Sequence, residues 1–526
     1  MVLWKRESSG GSYIDLWALY EPRNFIDKAN LISGLKMLEI GCGKNDITST
    51  QLRHVGNEKF EEKLWHLAME FYNRSLRLAI KGSENVGFAY ANRSACFLKL
   101  KKYDQCLVDI ELAKNSKYPP RLMSKLEKRE AECRKQMKKL SDIEPIVRPV
   151  LSFPPNKNFP CMANVLEVQS NEEYGKHIVA KCDIEMGEIV MLEEGYVSDI
   201  SSSDQIRCHT CKEPEKNFLP CLNCTDVMFC DHQCMESNEM HKMTCGASYY
   251  RLKGAQSVVE SIVTAVTAFD TVDELMNFVE RALCTRDFDS PECKSDAQIN
   301  YRMFLKLLGL PKKTDPMLEI LKVYQLVLSI PTIKRFFDSK DKEKFLMHLT
   351  FQHFLIIKRN GITVDYDLEG LYNPIEIMGN IFSFFNHSCL PNISHTEIGN
   401  ELVALTILPV SKGEQLFINY MDKKQPTRER QLHLRNSFEF NCKCSKCVPR
   451  VEEGDFSKMQ TDPDYQFIRM FYQTYRLEHK HRLILKEKSK KFLQKYIQFK
   501  WSEQIEYASV CFSNCMLKDF GLQFSI

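Results

Sequence analysis

Between Cys208 and Cys245 the chain places seven cysteines and, in register with them, His241 within 38 residues. The spacing is Cys208-x2-Cys211-x9-Cys221-x2-Cys224-x5-Cys230-x3-Cys234-x6-His241-x3-Cys245. Eight soft donors are what two tetrahedral zinc ions require. A segment this short builds little hydrophobic core, so metal must supply much of its folding energy. Interleaving is the expected connectivity: Cys208, Cys211, Cys230 and Cys234 on one ion, Cys221, Cys224, His241 and Cys245 on the other. This leaves no ligand position for water, so both ions are expected to be structural. His209 and His232 fall off the pattern and are expected on the surface.

The rest of the chain surrounds this cluster. With 526 residues it exceeds one core, and two to four domains are expected. Hydrophobic residues at 44%, charged residues at 27% and a net charge of +3 are ordinary for a globular protein. They give no basic patch of the kind that binds DNA directly. No apolar run of membrane-spanning length and no apolar signal-peptide core is found, so an intracellular protein with reduced thiols is expected. Sequons such as Asn386-His387-Ser388 then carry no glycan.

Residues 1–50 show no clear period. Met37–Gly43 looks like the strand and glycine turn of a nucleotide-binding fold, but no alternating strand and helix pattern follows it. Residues 51–142 read as helical repeats. Gly56, Asn57, Phe60, Trp65, Ala68 and Tyr72 fall at tetratricopeptide spacing, and so do Asn92, Arg93, Ala95, Leu98, Tyr103 and Ala113. The second copy is displaced by 38 residues, which places an insertion near Lys81–Glu84. A helix after Pro119-Pro120 is expected to cap the pair. Pro145, Pro149, Pro154, Pro155 and Pro160 mark a linker.

Beyond the linker, His177–Ala180 and Glu188–Leu192 read as strands around a turn at Gly187. Residues 247–357 are helical in period, 375–420 return to short strands, and 450–526 are helical. The Lys486–Lys495 charge run reads as a solvated helix face.

Three further segments carry chemistry. They are Asn386-His387-Ser388-Cys389-Leu390-Pro391-Asn392, then Gly413-Glu414-Gln415-Leu416-Phe417-Ile418-Asn419-Tyr420, then Phe438 and Phe440 with Cys442-x-Cys444-x2-Cys447. In order and spacing they resemble the SET domain of protein-lysine methyltransferases. Tyr174-Gly175-Lys176-His177 fits the loop that opens such domains. The cysteine cluster resembles a MYND zinc finger, including Phe229-Cys230. Together they resemble the SET and MYND family, in the branch with tetratricopeptide-like N-terminal repeats.

The resemblance implies an α+β multidomain fold. An N-terminal extension (1–50) and helical repeats (51–142) precede a β-rich SET domain. The SET halves span 160–204 and 358–440, separated by the MYND finger (205–246) and a helical insert (247–357). A zinc loop (441–449) and C-terminal helices (450–526) follow. It implies transfer of a methyl group from S-adenosylmethionine to a protein lysine. Lys176, His177, Asn386, His387 and Phe440 would hold the cofactor, Tyr420 would be catalytic, and Phe438 would line the lysine channel. Cys389, Cys442, Cys444 and Cys447 would take a third structural zinc. The two clusters then use seven and four of the 21 cysteines and leave ten, which ordinary buried thiols account for.

The chain departs from the family at two positions. His177 stands where a second glycine is usual, and Phe438 where a tyrosine is common. The second change is expected to alter the number of methyls added or to lower activity. A competing reading is an adaptor or repressor that keeps the SET fold as a scaffold. Proline-rich peptides are the partners that a MYND surface suggests. A monomer in cytoplasm and nucleus is expected.

Overall fold

The computed structural model describes residues 43–138, 148–200, 207–247, 254–284, 293–311, 316–364, 374–421, 425–448, 457–471, 479–499 and 502–520, with a few isolated positions between. Of the Met37–Gly43 stretch, all but Gly43 lies outside the described residues.

The chain begins with helical hairpins. Helices α1 (Asp46–Glu61) and α2 (Trp65–Leu78) form one, and α3 (Glu84–Lys99) and α4 (Tyr103–Lys114) form the next. Helix α5 (Met123–Met137) closes the set after a 3-10 turn at Pro120–Leu122. Ala68, Ala89, Ala91 and Ala113 are buried at the crossings, with Tyr72 and Phe97 filling the space between them. The expected insertion falls in the loop between α2 and α3.

Short sheets form the β-rich body. Strands β1 (Leu166–Asn171) and β2 (Gly175–Ala180) make an antiparallel hairpin, with Leu166 facing Ala180. Strand β3 (Ile189–Glu194) is almost continuously buried and lies at one edge of a three-stranded sheet. Strand β4 (Val197–Asp199) turns away toward the insert. Strands β5 (Leu219–Pro220) and β6 (Met228–Phe229) form a small ribbon inside the cysteine cluster, followed by helices α6 (His232–Ser237) and α7 (Glu239–Thr244).

The insert is helical: α8 (Ala255–Thr267), α9 (Val272–Cys284), α10 (Asp296–Leu305), α11 (Met317–Ser329), α12 (Pro331–Phe336) and α13 (Lys340–Asn360). Nearly all of α8 is buried, and it forms the centre of the insert's core with Tyr301, Phe304 and Leu349.

Strands then resume with β7 (Ile362–Val364), the short pair β8 (Asp367–Leu368) and β9 (Leu371–Tyr372), and β10 (Ile375–Met378). Strand β10 sits between β4 and β7. Strands β12 (Ile393–Ile398) and β13 (Glu401–Thr406) complete the sheet with β3, in the order β12-β13-β3. Flanking β12 and β13 in sequence, β11 (Asn386–His387) pairs in parallel with β14 (Phe417–Ile418).

The C-terminal part holds α14 (Thr427–Phe438), α15 (Ser457–Thr461), α16 (Pro463–Phe471), α17 (His479–Tyr496) and α18 (Glu503–Asp519). Leu517 of α18 packs on Ile189, Ile398, Val403 and Leu405, so this helix covers the outer face of the β12-β13-β3 sheet. The lysine-rich face of α17 does more than meet solvent. Lys486, Lys488 and Lys495 reach Asp519, Asp464 and Asp462 at 2.8, 2.6 and 2.7 Å. Among the described residues no helix is long and apolar enough to cross a membrane.

Candidate functional site

Strands β2, β11 and β14 meet in one place. Leu416 N–H donates to Ile178 O at 2.9 Å and Gly413 N–H to Ala180 O at 2.7 Å, which lays the 413–416 segment along β2. Ser388 N–H donates to Ile418 O at 2.9 Å, extending the β11–β14 pair. Asn392 clamps the crossing: its Nδ2 donates to Gln415 O at 3.0 Å, and its Oδ1 accepts from Phe417 N–H at 2.8 Å. The backbone of Lys176–His177, Asn386–His387 and Tyr420 is thereby drawn into one region.

Tyr420 stands at the centre. Its hydroxyl donates to Phe385 O at 2.6 Å, and its backbone N–H donates to His387 Nδ1 at 3.0 Å. Its ring lies 4.8 Å from Phe438 and 5.3 Å from His387, centre to centre. Phe440 lies 6.2 Å from His387. Burial pushes the Tyr420 hydroxyl up, against the pull of the Arg359 guanidinium, so it stays protonated. Burial pushes His387 down to about 4, so it is neutral near pH 7. With Nδ1 accepting, the proton sits on Nε2, which faces Cys389 Sγ at 3.3 Å.

On the opposite strand, Gly175 turns with a φ of +62°, and a Cβ there would meet only open space. Lys176 packs its ammonium over Phe384 at 5.2 Å. Burial and the neighbouring Lys306 lower Lys176 to about 8. His177 folds back on its own loop, with Nδ1 2.9 Å from Gly175 O, and packs against Tyr174. Asn386 Nδ2 donates to Tyr174 O at 3.2 Å, joining the two sides. Among the described residues, buried Asn380 Oδ1, Gln415 Nε2 and Asn419 Oδ1 have no hydrogen-bond partner.

Among the described residues, eleven cysteines and His241 gather into three groups of four, each with its ligand atoms within 4.8 Å of one another. They are Cys208, Cys211, Cys230 and Cys234; Cys221, Cys224, His241 and Cys245; and Cys389, Cys442, Cys444 and Cys447. A tetrahedral zinc with bonds of about 2.3 Å to sulfur sets sulfurs about 3.8 Å apart. Cys211 and Cys230 are 3.8 Å apart, Cys221 and Cys245 3.9 Å, and Cys389 and Cys442 3.9 Å. The donor sets fit three zinc ions. His209 is not a surface residue: it is buried between Phe229 and His241, and burial holds it neutral. The closely folded finger leaves no outer face at that position. His232 is exposed.

Sequence reading missed several residues of this site. Arg430 is buried and aims Nε at Cys389 Sγ at 3.3 Å and Nη2 at Cys447 Sγ at 3.6 Å, offsetting thiolate charge. Glu193 accepts from Ile381 N–H at 2.8 Å and Phe382 N–H at 2.6 Å, fixing the turn that leads into Asn386. Neither residue has a local motif. Asn392 lies in the 386–392 motif, and its amide is a signal for a group that cross-links two segments.

The match to the SET domain family spans residues 175–421. Protein-lysine N-methyltransferase SMYD4 of Danio rerio is 22% identical over 514 residues, covering 78% of this chain and 66% of its own length. A SET and MYND domain-containing protein of Dictyostelium discoideum is 24% identical over 329 residues, covering 54% of this chain and 82% of its own. The chain is thus similar to SET and MYND proteins over more than half of its length. The human SMYD4 protein is also 22% identical, with 78% of this chain and 68% of its own length covered. The chain thus spans just under two thirds of the Danio rerio and Mus musculus relatives, at 66% of each. Strand β2 and the β11–β14 crossing lie within the matched SET segment, and the cysteine groups of 208–245 lie inside it as well.

Buried contacts tie the MYND module to three neighbours. Arg207 pairs with Glu397 on β12 at 2.8 Å, and Lys212 with Glu260 on α8 at 3.2 Å. Arg93 on α3 donates to Phe218 O at 2.9 Å and pairs with Asp109. Burial would raise the Glu215 carboxyl, but the His66 hydrogen bond and the Lys102 ammonium outweigh it and hold it well below the usual carboxylate range. Gly399, with a φ of +63°, brings the β12–β13 turn so close that a Cβ would lie 2.6 Å from Cys211 O.

Proposed function

We propose that the chain is an S-adenosylmethionine-dependent protein-lysine N-methyltransferase. The observation that carries this is Tyr420: a protonated hydroxyl held on a backbone carbonyl, beside a neutral histidine and an aromatic wall. The names of the SMYD4 relatives support the same reading.

S-adenosylmethionine, when bound, supplies a methyl group activated on a sulfonium. Asn386, His387, Lys176, His177 and Phe440 would hold it. Phe438 and Tyr420 would wall the channel through which a lysine enters. An aromatic, poorly hydrated channel favours the neutral amine over the ammonium, so the lysine would release its proton to solvent water before reacting. The Tyr420 hydroxyl would then orient the amine lone pair. Twelve thiolate and imidazole donors would hold three zinc ions that shape the fold and take no part in the reaction.

Transfer from methyl-labelled S-adenosylmethionine to a protein array tests this. Turnover by the parent chain and its loss in Tyr420→Phe support the reading. No cofactor binding by zinc-replete protein would remove it and leave the adaptor reading, with proline-rich peptides as partners. We further propose that α1–α5 act as tetratricopeptide-like repeats and that the protein works as a monomer in cytoplasm and nucleus.

A further inference from the structure

Arg359 lies in the last turn of α13, remote in sequence from every motif of the site. Its side chain is only 13% exposed. One guanidinium nitrogen donates to Gly309 O at 3.0 Å and the other to Phe438 O at 3.1 Å. Phe438 is the final residue of α14, so its carbonyl belongs to the last turn, where no helical N–H follows to bond it. Arg359 supplies that missing donor from another element. It also brings positive charge to the negative end of the α14 dipole. The next residue, Glu439, takes the left-handed conformation at φ +63°, which a non-glycine residue adopts only when its surroundings hold it there. Its carboxylate lies 3.6 Å from Arg359. This turn separates Phe438, against Tyr420, from Phe440, against His387.

The end of α13 is itself anchored. Lys358 reaches Glu376 on β10 at 3.4 Å, and Asn360 donates to Leu308 O at 2.8 Å. Leu310 N–H donates to Leu355 O at 3.1 Å. Arg359 thus joins the insert loop at 308–310 and the aromatic wall to one rigid helix end.

Resting on the methyltransferase reading, we propose that Arg359 is a positioning residue. It fixes the Phe438–Glu439–Phe440 turn, and so the width of the lysine channel over Tyr420. It touches neither cofactor nor amine.

The test compares Arg359→Met and Arg359→Lys with the parent chain, all zinc-replete. Hydrogen exchange of the 436–442 peptide reads the turn without reference to activity. Arg359→Met is expected to speed that exchange about tenfold, the scale of one or two lost buried hydrogen bonds. Arg359→Lys, which keeps one donor and the charge, is expected to recover part of the protection. If the parent transfers methyl groups, Arg359→Met should lower kcat about tenfold and shift the ratio of mono- to higher-methylated product, while S-adenosylmethionine affinity stays within about twofold. Exchange equal to the parent overturns the proposal, as does a fall in kcat matched by an equal fall in cofactor affinity. A parent chain without transfer removes the methyltransferase reading, and exchange alone then decides the positioning role.

Discussion

Tyr420 donates its backbone N–H to His387 Nδ1 at 3.0 Å, and the other nitrogen of that ring points at Cys389 Sγ, 3.3 Å away. A single imidazole therefore connects the backbone of the central tyrosine to a ligand of the third cysteine group. Groups that orient a ligand contribute about 10–100-fold to metal affinity or activity. His387→Ala is expected to weaken zinc at the third site by that factor and to lower methyl transfer with it. Zinc release to a competing chelator and turnover, measured on the same sample, check this. An unchanged zinc affinity would show that the contact bears no load.

Phe438→Tyr adds a hydroxyl beside the Tyr420 ring, whose centre is 4.8 Å away. The new group narrows the channel and offers a place for a water. The product mixture is expected to move toward fewer methyls per lysine. Mass spectrometry of a substrate peptide reads this directly, and an identical mixture would falsify it.

Three groups of four donors predict three zinc ions per chain by elemental analysis. Cys444→Ser should reduce the count by one and leave the MYND pair loaded. A parent chain with two ions would show that the third group does not bind.

Glu193 gives a pH signature. Burial pushes its carboxyl up to about 7, against the pull of the Ile381, Phe382 and Asn380 N–H groups. Its folded value lies above that of an unfolded glutamate, so the fold favours the protonated form. Its contribution is fully present below the unfolded value and is lost as pH rises through about 7. Between pH 6 and 8 this is about 1 kcal/mol. Denaturation at the two pH values should show that loss, and Glu193→Gln should remove that part of the slope. An equal slope in both proteins would assign the pH dependence elsewhere.

Arg93 and Asp109 are fully buried and bonded through two nitrogens at 2.7 Å each. Arg93→Met leaves Asp109 charged with, among the described residues, Asn217 as its side-chain donor, and frees Phe218 O and Asn73 Oδ1. A cost of about 3–5 kcal/mol is expected. Thermal melting and limited proteolysis within residues 43–138 check it.

The sequence was most legible where chemistry forces spacing. Pairs such as Cys208 and Cys211 or Cys442 and Cys444 are tied to their metals by short loops, so the partition of the MYND ligands could be read before any fold was known. Tyr420, Asn386 and His387 were legible through a motif, although the Phe385 carbonyl that anchors the Tyr420 hydroxyl was not. Arg359 and Arg430 were invisible because each acts on backbone or thiolates brought near by the fold alone. Glu193 lay hidden in an apolar strand, where a buried acid gives no periodic signal. His209 departs from its sequence expectation because a position off the ligand pattern reads as solvent-facing. In so compact a module, such a position becomes core instead.

The Arg207–Glu397, Lys212–Glu260 and Arg93–Phe218 contacts make the MYND module a keystone, and they bear on the order of assembly. The two β-rich halves are separated in the chain by the module and the insert, yet β3 must pair with β13. A nascent chain starved of zinc would present both halves with no seat between them, leaving Glu397 and Glu260 without their cations and Arg93 without the Phe218 carbonyl. Metal supply during synthesis would then set the yield of mature protein, and adding zinc after misfolding would rescue little of it.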